Sequence, residues 1–269
     1  MKKILILIVL LVIAAAASPF LIGSQIEKTA RKQVDITNQQ LAKSLKSSPQ
    51  IEDASLKIES YEKGYMDSKV KSLLSLKLNL PGESEPKVFN VPLNTDVTHG
   101  PYLGDAGFGA AKLVSHPDLS SLELPEAINN DTITIENLVS FSGDMDQKAT
   151  VAPIKYDADG TIFDFAGATI TSNANLDNNA NFTGVADVQQ LTISGDSADQ
   201  FVLKPFKLDM KGKGDQDLMK GDYEVESGVV EATIGDDISI VMQSMLMSGT
   251  YEQAKGLEMM LGNAKGAFK

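Results

Sequence analysis

Along most of the chain the apolar residues recur with a period of two. Across residues 70–80 one set of alternate positions reads Val70, Ser72, Leu74, Leu76, Leu78 and Leu80, while Lys69, Lys71, Ser75, Lys77 and Asn79 fill most of the other. A strand with one buried and one solvated face reads this way. The alternation returns in Ile133, Ile135, Val139 and Phe141, and again in Val202, Phe206, Leu208 and Met210. Around Tyr223 and Val225 the apolar phase is odd, whereas at Val230, Ala232 and Ile234 it is even. A bulge at Ser227-Gly228 is the expected cause of that slip. Turn formers separate the runs: Asn94-Thr95-Asp96, Gly143-Asp144, Asp159-Gly160, Asp177-Asn178-Asn179, Gly195-Asp196 and Gly235-Asp236-Asp237. Asn, Asp and Gly reach the left-handed conformations that tight hairpins need. Their spacing predicts about nine or ten short strands between residues 51 and 240.

Four stretches depart from the period. After Lys2 and Lys3, residues 4–17 are uninterrupted apolar, and no charge occurs before residue 24. Twenty helical residues span about 30 Å, the thickness of a bilayer's hydrocarbon core. The small run Ala14-Ala15-Ala16-Ala17-Ser18 also satisfies the description of a cleaved secretory signal. Its extension through Phe20, Leu21 and Ile22 favours an uncleaved anchor. Beyond it, Ile26, Ala30, Val34, Leu41 and Leu45 form one helical stripe, which suits a stalk or a helix packed on the body. Near the other end, Ala254, Leu257 and Leu261 predict a short helix over residues 251–261, and residues 107–114 offer a shorter one. The expected fold is therefore mainly β: an extended antiparallel meander over residues 51–269. A transmembrane helix at 1–24 and a basic helical stalk at 25–50 precede it, and a short C-terminal helix closes it.

Charge changes this picture along the chain. The 269 residues carry a net charge of −12. Residues 1–50 hold seven basic side chains against Glu27 and Asp35, a net of +5, which leaves −17 for the rest. An acidic body with Arg31 as its only arginine, and that in the neck, excludes nucleic acid as a partner through long-range repulsion. The basic neck suits anionic headgroups. The signal-like order of the first segment places the N-terminus inside and the body in the periplasm, anchored by one pass in the inner membrane. The absence of cysteine removes disulfides, thiol catalysis and thiolate metal sites.

Catalytic signatures are nearly missing. There is no G-x-S-x-G elbow, no H-E-x-x-H, no Walker loop and no dinucleotide fingerprint. Asp157-Ala158-Asp159-Gly160 has the opening of a calcium loop without its later acidic ligands, so it reads as a type I′ hairpin turn. No cofactor or metal is expected. The two histidines, His99 and His116, lack a third ligand pattern. His99, in Thr98-His99-Gly100-Pro101, sits where a strand-like run ends, and it suits either a general base or a ring that fixes a backbone corner. Tyr61 and Tyr65 flank Gly64 in Tyr61-Glu62-Lys63-Gly64-Tyr65-Met66-Asp67-Ser68, where the glycine suits a bend between two strands.

These last two segments resemble the Tyr-x-(basic)-Gly-(aromatic)-x-x-Ser and His-Gly-Pro motifs of the YdgA-like family of bacterial membrane-anchored proteins. Leu138-Val139-Ser140-Phe141-Ser142-Gly143, followed by Phe163-Asp164-Phe165-Ala166-Gly167, is also similar to that family's middle region. Met66-Asp67 depart from its usual pattern. The resemblance implies an inner-membrane or periplasmic setting and supplies no activity. It marks Tyr61, Gly64, Tyr65, Ser68, His99, Gly100 and Pro101 as the candidate functional or structural motif.

The expected function is a non-enzymatic binding or scaffold module of the bacterial envelope, in contact with the inner-membrane bilayer and with an envelope protein or lipid. One apolar sheet face serving as an acyl-chain groove is the specific form of this reading; the alternative is that another layer covers that face. The rivals are a periplasmic hydrolase using His99 and a secreted β-rich surface protein released by cleavage.

Overall fold

A computed structural model describes residues 51–268 apart from 65, 81–82, 123, 176–180, 196–198, 215–217, 236–237 and 255–259, together with residues 31, 34, 35 and 38. The predicted transmembrane helix and most of the stalk lie outside the described residues. Among the described residues no helix is long and apolar enough to cross a membrane. The chain divides into two compact units, the first made of Met1–Leu124 and Asn129–Ala149, the second of Pro125–Ile128 and Thr150–Lys269.

The first unit is a meander. Strands β1 (Ile51–Lys63), β2 (Asp67–Leu78), β3 (Lys87–His99), β4 (Ala111–Pro117), β5 (Ile133–Val139) and β6 (Asp144–Val151) lie side by side in chain order, the last two residues of β6 belonging to the second unit. The period of two seen in the sequence sets the faces. Leu74, Leu76, Val91, Val97, Leu113, Ile133 and Val139 point one way and are buried, and Leu119, Leu122 and Ile128 in the β4–β5 connection are buried too. The turn expected at Asn94-Thr95-Asp96 does not form. These residues lie inside β3, where Thr95 pairs with Val70 and Ser115 and shares a buried hydroxyl hydrogen bond of 2.7 Å with Ser115. The helix expected over 107–114 is instead a 3₁₀ turn at Gly104–Ala106 followed by β4, because Gly104 and Gly107 adopt positive φ.

On the outer edge of this meander Asn38, in helical conformation, grips β1. Its side-chain amide donates to the Leu56 carbonyl at 2.9 Å, and its Oδ1 accepts from the Leu56 N–H at 2.7 Å. One residue's outward donor and acceptor are thereby satisfied on a strand edge.

In the second unit the chain alternates between two antiparallel sheets instead of forming the single expected meander, and every long strand except the last is broken once. Its strands are β7 (Ile154–Ala158), β8 (Thr161–Phe165), β9 (Ala168–Asn175), β10 (Asn181–Val188), β11 (Leu191–Ser194), β12 (Gln200–Leu203), β13 (Phe206–Gly214), β14 (Leu218–Ser227), β15 (Val230–Ile234), β16 (Ile238–Met242), β17 (Met245–Ala254) and β18 (Met260–Phe268). They occur in the orders β9-β10-β13-β14-β17-β18 and β16-β15-β12-β11-β8-β7. The chain passes between the two sheets at residues 152–153, 166–167, 189–190, 204–205, 228–229 and 243–244. Neighbouring breaks are tied together: Ala166 N–H donates to Gln190 O at 2.9 Å, Lys204 N–H to Val229 O at 2.8 Å and Gly228 N–H to Pro205 O at 2.8 Å. Gly167, with φ of +106°, and Pro205 supply the conformations that such a bend needs.

This corner replaces the bulge expected at Ser227-Gly228. Two residues between strands shift the apolar phase by one, so Phe206, Leu208 and Met210 alternate on even numbers and Phe201 and Leu203 on odd ones. Tyr223 and Val225 pass to Val230 and Ala232 in the same way. Partly because the broken strands count twice, sixteen strands begin between residues 51 and 240 among the described residues, rather than nine or ten. The hairpin turn expected at Asp159-Gly160 is present, with φ of 51° and 79°, as a type I′ turn requires.

The C-terminal helix expected over 251–261 is not formed: β17 continues to Ala254 along β14, and β18 begins at Met260. Gly256, in the middle of that span, weakens a helix there. Gly249 lies opposite Tyr223, and a β-carbon on it would meet that ring within 2.9 Å. Tyr223 and Val225 thus form a small core with Phe206, Leu208, Met210, Met245 and Met247.

Leu74→Ala is expected to destabilise the protein by about 2–5 kcal/mol in urea unfolding. Lys71→Ala, three residues away on the solvated face, should stay within about 0.5 kcal/mol.

Candidate functional site

The hairpin joining β1 and β2 starts with Gly64, whose N–H donates to the Asp67 carbonyl at 2.7 Å. A β-carbon on Gly64 would collide with Asp67, so close approach, rather than an unusual φ, requires glycine here. Earlier in β1 the register shifts between Ile58 and Ser60. That shift turns Tyr61 and Lys63 onto the face of Val70 and Ser68, their partners on β2. The Tyr61 hydroxyl is buried there without a hydrogen-bond partner among the described residues. Tyr65 lies outside the described residues.

Ser68 stands opposite Val97 on β3, which places it diagonally beside His99 on the same face. Ser68 Oγ and His99 Nε2 share a hydrogen bond of 2.8 Å, and Ser68 is only 3% exposed. The two sequence motifs therefore meet through one side-chain contact. Burial holds the His99 pKa below its ordinary value of 6.5; the Asp67 carboxylate opposes this shift and the Lys63 ammonium adds to it. His116 is not part of the site. It lies on β4, pairs with Asn94 of β3 and points to the opposite face.

Beyond His99 the backbone makes a tight corner. His99 N–H donates to Met66 O at 2.7 Å, Gly100 N–H to Ala110 O at 2.7 Å, and Gly109 N–H to Pro101 O at 3.2 Å. The Gly100-Pro101 bond is cis. A β-carbon on Gly100 would occupy the Gly109 carbonyl, and one on Gly109 would press within 3.0 Å of Leu103 Cδ1 and Val139 O. Gly109 lies outside the candidate motif, although it shares the crossing that makes Gly100 necessary.

Successive strands run antiparallel, so the β1–β2, β3–β4 and β5–β6 connections share one end of the first unit. Ala110 N–H donates to Val139 O at 2.8 Å and ties the second connection to the third. The third is braced by Ser142 Oγ, which donates to Asp144 Oδ2 at 2.6 Å, and by Ser140 N–H, which donates to Asp144 O at 2.8 Å. These braced loops present Met66, Tyr102, Phe108 and Phe141 to solvent, with Phe108 78% exposed. Tyr102 and Phe108 meet edge to face at 5.7 Å. Phe141 stood in the sequence as the last member of an alternating run. Tyr102 and Phe108 carried no sequence signal, because their placement depends on the glycine-rich loop.

Among the described residues no group of three or more His, Asp or Glu is placed to hold a metal ion. The molecule is a β-rich protein of two antiparallel sheets, with a partly buried Ser-His pair beneath exposed apolar loops. The chain belongs to a family of bacterial proteins of unknown function, DUF945, whose model matches residues 1–264. That membership is consistent with the YdgA-like resemblance. No curated protein and no solved structure matches the chain.

Gly100→Ala is expected to disrupt the corner and lower soluble yield, since the added carbon would fall on a backbone carbonyl rather than a flexible side chain. His99→Ala leaves the buried Ser68 hydroxyl without its partner and should cost about 1–3 kcal/mol. A depressed imidazole pKa also makes stability depend on pH. The unfolded state binds the proton first as pH falls below 6.5, so stability is complete above that value and declines as pH drops through the folded pKa. Unfolding midpoints measured from pH 8 downward should show this decline, and His99→Gln should flatten it.

Proposed function

We propose that this protein is a non-enzymatic binding or scaffold module of the bacterial envelope, anchored in the inner membrane by residues 4–23 with its body in the periplasm. It contacts an apolar partner, a lipid or an envelope protein segment, through Met66, Tyr102, Phe108 and Phe141. The exposed cluster on braced loops carries this reading, because large apolar side chains concentrated at one end of a domain mark contact sites. The apolar face of the first unit supports the same choice. Leu74 and Val91 at its centre are fully buried, which favours apolar contact at the tip over an acyl chain lying on that face.

A hydrolase is the second reading, favoured by the 2.8 Å contact between Ser68 and His99. A nucleophile needs a substrate carbon within about 3–3.5 Å. Ser68 is 3% exposed and offers no such approach. Its chemistry suits a lock on the corner beneath the tip.

A photo-crosslinking residue placed at Phe108 or Phe141 in cells should give discrete adducts, whereas the same residue at exposed Val88, at the opposite end of β3, should not. Equal adducts at all three positions, or none, would sink the tip reading. Loss of a cellular phenotype in His99→Ala with an unchanged thermal midpoint would favour the hydrolase.

A further inference from the structure

The bonds between Asn38 and Leu56 fix which backbone groups of β1 face outward. Leu56 turns both its N–H and its carbonyl away from β2, since both bond the Asn38 amide, at 2.7 and 2.9 Å. Backbone groups on a strand alternate in direction, and the β1–β2 register runs without a shift from Asp53 to Ile58. Ala54, Leu56 and Ile58 therefore present outward groups, whereas Ser55 and Lys57 turn theirs to β2. β1 is the first strand of its sheet, and an edge strand recruits another strand through such outward groups, taken in succession. Asn38 holds the middle one of the three. No two successive outward positions among Ala54, Leu56 and Ile58 are then left for a strand to pair with.

The chemistry of this contact is selective. A helix satisfies its own backbone groups and cannot extend a ladder with them. A side chain can stand in for a strand only if it offers a donor and an acceptor side by side, as the amides of Asn and Gln do. Asn is a poor helix former, so what it bonds, and not the helix, explains its presence at a helical position. Val34, one turn earlier on the same face, is half-buried, while Arg31 and Asp35 are exposed. The segment thus meets the body along one face.

We infer that the helical segment carrying Val34 and Asn38 is an intramolecular strap that keeps the β1 edge closed to strand addition. Docked, it occupies Leu56; released, it leaves Ala54, Leu56 and Ile58 open as one run. The two states exclude each other because both need the same N–H and carbonyl of Leu56. One side chain suffices as the switch point, since the middle position divides the run. In a purified sample the strand on offer to an opened edge is that of a second copy.

The test is amide hydrogen exchange on the full chain in mild detergent, read residue by residue. In the wild type the Leu56 amide should be protected to the same degree at every protein concentration. Asn38→Ala removes both bonds, and Asn38→Leu removes them while keeping bulk and helix propensity. In dilute samples of either variant the Leu56 amide should exchange about tenfold faster, as loss of one hydrogen bond implies, while Ser55 and Lys57 keep their rates. As the concentration of either variant rises, dimers should appear in sedimentation equilibrium, and the amides of Ala54, Leu56 and Ile58 should slow together. Unchanged protection of Leu56 in both variants, or faster exchange at Ser55 and Lys57 to the same extent, would overturn the inference. So would variants that stay monomeric, or dimers in which Ala54 and Ile58 remain unprotected.

Discussion

Backbone pairing between neighbouring strands decides which face each strand's side chains take in this protein. In an antiparallel ladder the side-chain period is two, so a shift of one residue moves a whole strand's apolar set to the opposite face. Such a shift occurs in β1, between Ile58 and Ser60, and carries Tyr61 and Lys63 to the side of Ser68. A similar change of phase recurs at each chain passage between the sheets of the second unit. The candidate site and the corner between sheets therefore depend on the same geometric rule, applied at different places.

That rule also explains what could be read from the sequence. The alternation at 70–80 marks β2 and the direction of its buried face, because packing and pattern agree there. Asp159-Gly160 marks its hairpin because a type I′ turn needs two residues that tolerate positive φ. The contact between Ser68 and His99 was not legible, since the residues are 31 positions apart and meet only through the β2–β3 register. The phase slip near Ser227 was visible, but a bulge and a passage between sheets leave the same mark in one strand. Only the neighbouring breaks at 189–190 and 204–205 separate the two causes. The helix expected near the C-terminus came from three apolar residues at helical spacing, a weak signal that pairing with β14 overrides.

The edges at β1 and β16 have opposite characters. At β1 the amide of Asn38 supplies both partners that Leu56 would otherwise seek outside the sheet. At β16 five residues with no formal charge are left with one neighbouring strand. Within the site, burial and Lys63 favour a neutral imidazole, which lets the ring share a hydrogen bond with Ser68 without placing a charge beneath the tip.

Strand pairing in chain order has a consequence for how the protein is made. Contacts between neighbours in sequence close short loops, which cost little entropy and form quickly. Hairpins form in about 1–10 μs, whereas ribosomes add about 5–20 residues per second. In the first unit each nascent strand would find its predecessor already in place as a template, so the sheet can grow from β1 to β6 at the pace of synthesis. In the second unit the same growth extends two sheets in turn, and the newest strand is always an open edge until the next one arrives.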